Sequence, residues 1–314
     1  MASVGLVLGG GGILGAAWHA AVLAALADAG WDARQADLVV GTSAGSTIAA
    51  VLRLGIPPAD LLAGPLGRPL SASGRAHAAR AGGPLDLPAP RFGLARPVAP
   101  RLALRAAMRP WRFNPLLAMA GLLPDGQVPT TAIGDRIRAT YDDPWPARPT
   151  WICAVQMPQG RRVVFGRDVD DADLATAVEA SSAIPGYFVP VSHGGATYVD
   201  GGVHSPTNAD LVAGLGFDVV VVSSPMSGTG AALRSVRAGA RRLHAATLAR
   251  EVRAVRATGA AALVLQPGPE VVDAVGPSSM DPSRRRAVAQ VALDTVRAHL
   301  ASDAVSDRLD LLRS

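Results

Sequence analysis

Asp37-Leu38-Val39-Val40-Gly41-Thr42-Ser43-Ala44-Gly45-Ser46 decides how this chain folds. An apolar run over Asp37–Val40 meets a glycine, a serine follows, and Ala44–Leu54 then carries helix-forming residues up to Gly55 and the Pro57-Pro58 pair. That reads as strand, sharp turn and helix. The turn matches G-x-S-x-G, with Gly41 and Gly45 flanking Ser43. In this context the pattern has a mechanical meaning. Small neighbours let the serine occupy a tight corner, and the next helix aims its first N–H groups and positive dipole end at it. An ordinary turn with an N-capping serine would carry the same letters, so the flanking sequence has to decide.

Upstream, Val4–Leu8 is a short apolar run that enters Gly9–Gly12, and Ile13–Ala29 is an Ala- and Leu-rich helix stopped by Gly30. The order β-α-β-α argues for a parallel sheet covered by helices. Successive glycine amides can present N–H donors with no Cβ in the way, as the oxyanion of an acyl-transfer intermediate requires. Gly10, Gly12 and Gly15 also spell the dinucleotide fingerprint G-x-G-x-x-G. That motif calls for an acidic residue closing the second strand. Here the second strand runs into Gly41 and the serine turn.

Downstream, Trp151–Gln156 and Arg162–Phe165 read as strands, Asp173–Ser182 as a helix, and Val189–Val191 and Thr197–Val199 as short strands leading into Asp200-Gly201-Gly202. Asn208–Gly214 reads as a helix, Val219–Ser223 as a strand buried on both faces, Ala231–Ala257 as a long helix, Ala261–Gln266 as a strand and Arg284–Leu300 as a last long helix. Asp200 follows Ser43 by 157 residues, so only the fold can bring them together. Asp-Gly is also a common turn dipeptide.

The 314 residues are 49% hydrophobic, which excludes a wholly disordered chain. With 34 Gly and 25 Pro, sharp turns and a loop-rich region are expected. The chain reads as a single domain over 1–314. Residues 56–130, rich in Pro and Arg, form an insertion or lid, and C-terminal helices cover about 231–314. Lys is absent, and the net charge of +5 is too small to argue for a nucleic-acid partner. It is compatible with an anionic lipid surface.

In segment 91–113, Arg101, Arg105 and Arg109 fall on one helical face, with Arg91, Arg96 and Arg112 nearby and Phe92, Trp111 and Phe113 flanking. This is either a solvated basic face or a contact with lipid headgroups. Cys153, the one cysteine, excludes an internal disulfide and a Cys-cluster metal site, and reads as a buried strand residue. His77, His193, His244 and His299 have no metal-ligand spacing, and no metal or cofactor is called for. No apolar run reaches membrane-spanning length. Val4–Leu26 lacks a basic start and is interrupted by glycines, so it reads as folded protein rather than a secretory leader. The expected location is cytoplasmic, with peripheral contact at the inner membrane face.

Taken in order, Gly10–Gly15, Gly41–Gly45 and Asp200–Gly202 resemble the patatin-like phospholipase family. Glu179–Phe188 also resembles that family's A-S-x-A-x-P-x-x-F block. The resemblance covers about residues 4–225. It implies a three-layer α/β/α sandwich with a mainly parallel central sheet. It implies a serine hydrolase that cleaves lipid acyl esters, as a phospholipase A or lysophospholipase does, by a Ser–Asp dyad through an acyl-enzyme. Ser43 would be the nucleophile and Asp200 the base, with the amides of Gly10, Gly11 and Gly12 forming the oxyanion hole. One departure is Leu14, where the family usually carries Lys or Arg. Two other readings stay open. His204, four residues after Asp200, would complete a Ser–Asp–His order as in α/β-hydrolase esterases. A catalytically inactive lipid-binding protein of the same fold would keep the same pattern.

Overall fold

The computed structural model describes residues 2–82, 88, 121–124, 126–234 and 238–314. The Arg-rich segment 91–113, and with it the anticipated basic helical face, lies outside the described residues.

One sheet of eight strands organises these residues. Strands β1 (Val4–Leu8), β2 (Leu38–Thr42), β3 (Thr150–Met157), β7 (Val219–Ser223) and β8 (Ala261–Leu265) run parallel. Strands β4 (Arg161–Phe165) and β6 (Ala196–Asp200) run antiparallel to β3, and β5 (Val191–His193) runs antiparallel to β6. The sheet is therefore mixed and mainly parallel. The registers show how β3 is shared. Ile152 pairs with Gly41 of β2 and Phe165 of β4, while Ala154 pairs with Val163 of β4 and Asp200 of β6. Hence β2 and β6 lie end to end along one edge of β3, and β4 takes the other.

Alternation along the strands sends side chains into two layers. Leu6, Leu8, Val39 and Val221 face one cluster, shared with helices α1 (Gly12–Asp28), α2 (Ala44–Arg53), α6 (Leu174–Ser182) and α9 (Arg285–Leu300). Val7, Val40, Val220 and Val222 face the other, closed by Leu248, Val252 and Val255 of α7 (Gly239–Ala257). This is an α/β/α sandwich. Helix α1 is buried on nearly every side, against α2, α9 and α3 (Pro58–Leu66). A helix enclosed all round is apolar all round, which explains why Val4–Leu26 superficially resembles a leader. No described helix is long and apolar enough to cross a membrane.

Several boundaries differ from expectation. Asn208–Gly214 is only a short 3-10 turn over Ala209–Val212, because Asn208 adopts a left-handed φ of 54° and Gly214 a φ of 78°. The strand expected at Val189–Val191 lies at Val191–His193. The pattern over Ala231–Ala257 divides into a 3-10 turn at Gly230–Leu233 and α7. Within 56–130, α3 and α4 (Ala72–Ala81) are regular helices. Pro58 sits at the start of α3 and Ser71 caps α4 by accepting from Gly74 N–H. Helices α5 (Thr131–Thr140), α8 (Pro269–Val275) and α10 (Ser306–Arg313) complete the described elements.

Candidate active site

Ser43 occupies the corner between β2 and α2 with φ 52° and ψ −121°, a backbone conformation that costs a non-glycine residue about 1–3 kcal/mol. The corner exists because its neighbours are small. A side chain on Gly45 would collide with the Leu8 carbonyl at the end of β1, and one on Gly41 would meet the Ser46 backbone. The buried Ser43 N–H donates to Ser181 Oγ at 2.8 Å, and the Ser43 carbonyl accepts from Ser46 Oγ at 2.6 Å.

Asp200 closes β6 beside it. Thr42 pairs with Cys153 and Asp200 with Ala154, so two strands approaching from opposite directions end at adjacent positions on β3. The Ser43 hydroxyl lies close enough to the Asp200 carboxylate to favour its charged form, and Gly202 N–H donates to the same carboxylate at 2.7 Å. Burial pushes the Asp200 carboxyl up to about 6, against the pull of those two donors. One segment holds both residues. Ser181 Oγ takes the Ser43 amide, and the Ala183 carbonyl takes the Asp200 amide at 2.9 Å. The sequence block Glu179–Phe188 flagged this segment without revealing that it acts through backbone clasps.

The glycine loop corrects one expectation. Gly10 N–H donates to the Pro206 carbonyl at 2.8 Å, so it is already engaged. Gly10 instead supplies clearance, because a Cβ there would lie 3.3 Å from the Ser43 Cβ. The amides of Gly11 and Gly12 have no protein acceptor among the described residues, and neither has Ala44 N–H at the start of α2. Ala44 was not singled out from sequence, although its place directly after the serine is the available signal.

The loop is anchored from behind. His19 is fully buried, with Nε2 2.7 Å from the Gly9 carbonyl and Nδ1 2.8 Å from Ser223 Oγ. A carbonyl can only accept, so Nε2 carries the proton and Nδ1 accepts from the Ser223 hydroxyl. Ser223 Oγ accepts in turn from Trp18 Nε1 at 3.0 Å. Burial holds His19 down at about 4, so the ring is neutral at pH 7. Leu14 is buried in the core rather than exposed toward solvent.

His204 belongs to other surroundings. Burial and the charge of Arg162 lower its pKa, while Asp210 opposes them. The groups that tune Asp200 are Ser43 and Gly202. The loop after Asp200 is fastened behind the sheet by Thr207 Oγ1 and Ala209 N–H, which donate to Glu251 at 2.6 and 3.0 Å, and by Asn208 Nδ2, which donates to Thr42 Oγ1 at 3.1 Å. Cys153 is buried on β3 as expected, and burial pushes its thiol up to about 12. Among the described residues, no group of three His, Cys, Asp or Glu side chains could hold a metal ion.

A cavity of about 770 Å³ opens against Ser43, Ala44 and Gly12. Its wall is mainly apolar, from residues such as Ile13, Ile48, Leu61, Ile133, Phe188 and Met280. This size and lining suit an aliphatic ligand.

Residues 6–213 match the patatin-like phospholipase family. The chain belongs to that family. Membership places it among lipid ester hydrolases. Among solved structures, the chain is similar to VipD from Legionella pneumophila, with 14% identity and a TM-score of 0.40 over 94% of this chain and 67% of that one. It is also similar to the type III effector protein ExoU, with 17% identity and a TM-score of 0.37 over 95% of this chain and 53% of that one. The patatin-like chain described here thus spans only part of each of these longer proteins.

Proposed function

We propose that this patatin-like protein hydrolyses lipid acyl esters through a Ser43–Asp200 dyad. The observation that carries the reading is the buried Ser43–Asp200 pair, with Ser43 opening onto an apolar cavity. Ser43 Oγ attacks the ester carbonyl as its proton passes to Asp200. The oxyanion forms against the amides of Gly11 and Gly12, with Ala44 N–H as a further donor. Asp200 returns the proton to the departing alcohol oxygen, which leaves an acyl-Ser43 ester. Water then attacks that ester while giving a proton to Asp200. Collapse releases the carboxylic acid and restores the Ser43 hydroxyl. A carboxylate tuned to about 6 is a better base than an ordinary aspartate and is still largely ionised at pH 7.

The pairing of Asp200 with Ser43 and Gly202 supports the dyad over a relay through His204. The test combines fluorophosphonate labelling with two variants. Wild type should be labelled at Ser43, Asp200→Asn should lose turnover, and His204→Gln should retain most of it. Absence of labelling, or the reverse ranking of the two variants, overturns the reading.

Contact of segment 91–113 with a membrane surface is part of the same proposal and rests on its Arg and aromatic content alone. The role of residues 56–130 as a lid belongs to the same proposal and is supported by the presence of α3 and α4 residues in the cavity wall.

A further inference from the structure

The buried side of helix α7 consists of His244, Leu248, Glu251, Val252 and Val255. Leu248, Val252 and Val255 close the apolar cluster on the face of the sheet opposite the Ser43 cavity. Glu251 is the odd residue among them. Another aliphatic side chain would serve the packing, and taking a carboxylate out of water is costly. Burial pushes its carboxyl up, the charge of Asp210 adds to that, and Ser205, Thr207 and Ala209 N–H oppose it. Those last three belong to one stretch, 205–209, which follows Asp200. Thr207 Oγ1 donates to Glu251 Oε2 at 2.6 Å, and Ala209 N–H donates to the same oxygen at 3.0 Å.

The same stretch reaches the parts of the site on the other side. The Pro206 carbonyl accepts Gly10 N–H at 2.8 Å. Thr207, bonded to Glu251 through its hydroxyl, lays its methyl against Gly9, where an added Cβ would lie 3.1 Å from Thr207 Cγ2. Asn208 Nδ2 donates at 3.1 Å to the hydroxyl of Thr42, the residue before Ser43. Asn208 does so from a left-handed φ of 54°, a conformation that a residue with a Cβ keeps only when its surroundings impose it. The residues on either side of it, Thr207 and Ala209, are the two that Glu251 Oε2 holds. One buried oxygen therefore clasps the stretch around its disfavoured residue.

We propose that Glu251 is a positioning residue for ester hydrolysis. From behind the sheet it sets the 205–209 stretch, through which Pro206 and Asn208 hold the glycine loop and the end of β2 in place beside Asp200. It touches neither substrate nor reacting atoms. The proposal rests on the reading of Ser43 as nucleophile.

The experiment uses the full chain and a soluble ester. It compares Glu251→Ala, Glu251→Gln and, as a stability control from the same side of α7, Val255→Ala. Exchange of the Gly10 amide with solvent, followed by NMR, reports the loop directly, and the Val221 amide in the middle of the sheet reports global stability. In Glu251→Ala, exchange at Gly10 should rise by about tenfold or more relative to Val221, and kcat should fall by a similar factor with KM little changed, the scale of a lost bond to a charged group. Glu251→Gln keeps an oxygen for both donors and should stay near wild type in both readouts. Val255→Ala should lose stability yet keep kcat. If Glu251→Ala does not fold, Thr207→Val decides, because it removes one donor and keeps the methyl against Gly9. It should then raise Gly10 exchange and lower kcat, and wild-type values for both would overturn the proposal. Gly10 exchange that moves no more than Val221, or a kcat in Glu251→Ala no lower than in Val255→Ala, also overturns it. A wild type without esterase turnover sinks the Ser43 reading and this one with it. A wild type that turns over while Glu251→Ala leaves Gly10 and kcat unmoved sinks this one alone.

Discussion

Ser43 and Asp200, 157 residues apart in sequence, meet because their strands end on consecutive residues of β3: Thr42 pairs with Cys153, and Asp200 pairs with Ala154. A parallel strand delivers the serine and an antiparallel one delivers the carboxylate. Hydrogen-bond register thus fixes the separation of the two groups, with no long flexible connection involved. The Ser181 hydroxyl and the Ala183 carbonyl then pin the backbone of each.

The first prediction concerns pH. Asp200 acts as a base only when ionised, and burial sets its carboxyl at about 6. Hydrolysis of a soluble ester should therefore rise with pH through about 6 and level off above it. Asp200→Asn should lower kcat by about 10²-fold or more, the usual scale of general-base catalysis, and remove the inflection. An inflection that survives Asp200→Asn and disappears in His204→Gln would transfer the role to the histidine.

Ser181 tests the clasp. Ser181→Ala leaves the buried Ser43 amide without its 2.8 Å partner. An unsatisfied buried donor costs about 1–3 kcal/mol, so the denaturant midpoint should fall. Because the lost bond holds the proposed nucleophile, kcat should fall as well, while KM changes little. A stability loss with kcat intact would make Ser181 a purely structural residue.

Much of this was readable from the letters, and the failures share a cause. The strand–turn–helix around Ser43 and the glycine run before α1 are local, so composition and spacing determine them. Asp200 is legible as a motif, but its pairing with Ser43 comes only from the family resemblance, since β6 reverses direction relative to β2 and sequence carries no register across 157 residues. Gly10 was misassigned for a similar reason. Whether an amide faces the site or the Pro206 carbonyl depends on a loop far downstream. The network of His19, Ser223 and Trp18 joins residues some 204 positions apart, and no single-residue signal marks it.

Backbone strain at Ser43 gives a third prediction. Its φ of 52° is disfavoured for any residue with a Cβ and open to glycine. Ser43→Ala and Ser43→Gly should both be inactive. Ser43→Gly should nevertheless be the more stable, by about 1 kcal/mol, despite the greater chain entropy that glycine gives the unfolded state. Chemical denaturation of the two variants side by side decides this. Equal stabilities, or a more stable alanine variant, would mean that the corner stores no strain.

The last prediction sets two buried groups against each other. Asp200 has its pKa raised from 3.8 to about 6, so its stabilising contribution is complete below 3.8 and is lost as pH rises through about 6. His19 has its pKa lowered from 6.5 to about 4, so its contribution is complete above 6.5 and is lost as pH falls through about 4. At 1.36 kcal/mol per pH unit each is worth about 3 kcal/mol at most, with opposite slopes over nearly the same window. In wild type they offset one another. Asp200→Asn removes one of them, so the stability difference between variant and wild type should be small near pH 4. It should grow in favour of the variant up to about pH 6 and stay level above. Urea midpoints for both proteins at four or five pH values measure that difference, and groups unaffected by the substitution cancel from it. A difference that does not vary with pH would show that Asp200 titrates in the fold as it does in the unfolded chain. The cost of keeping a carboxylate buried beside Ser43 would then vanish, along with the reason for it to act as a base near neutrality.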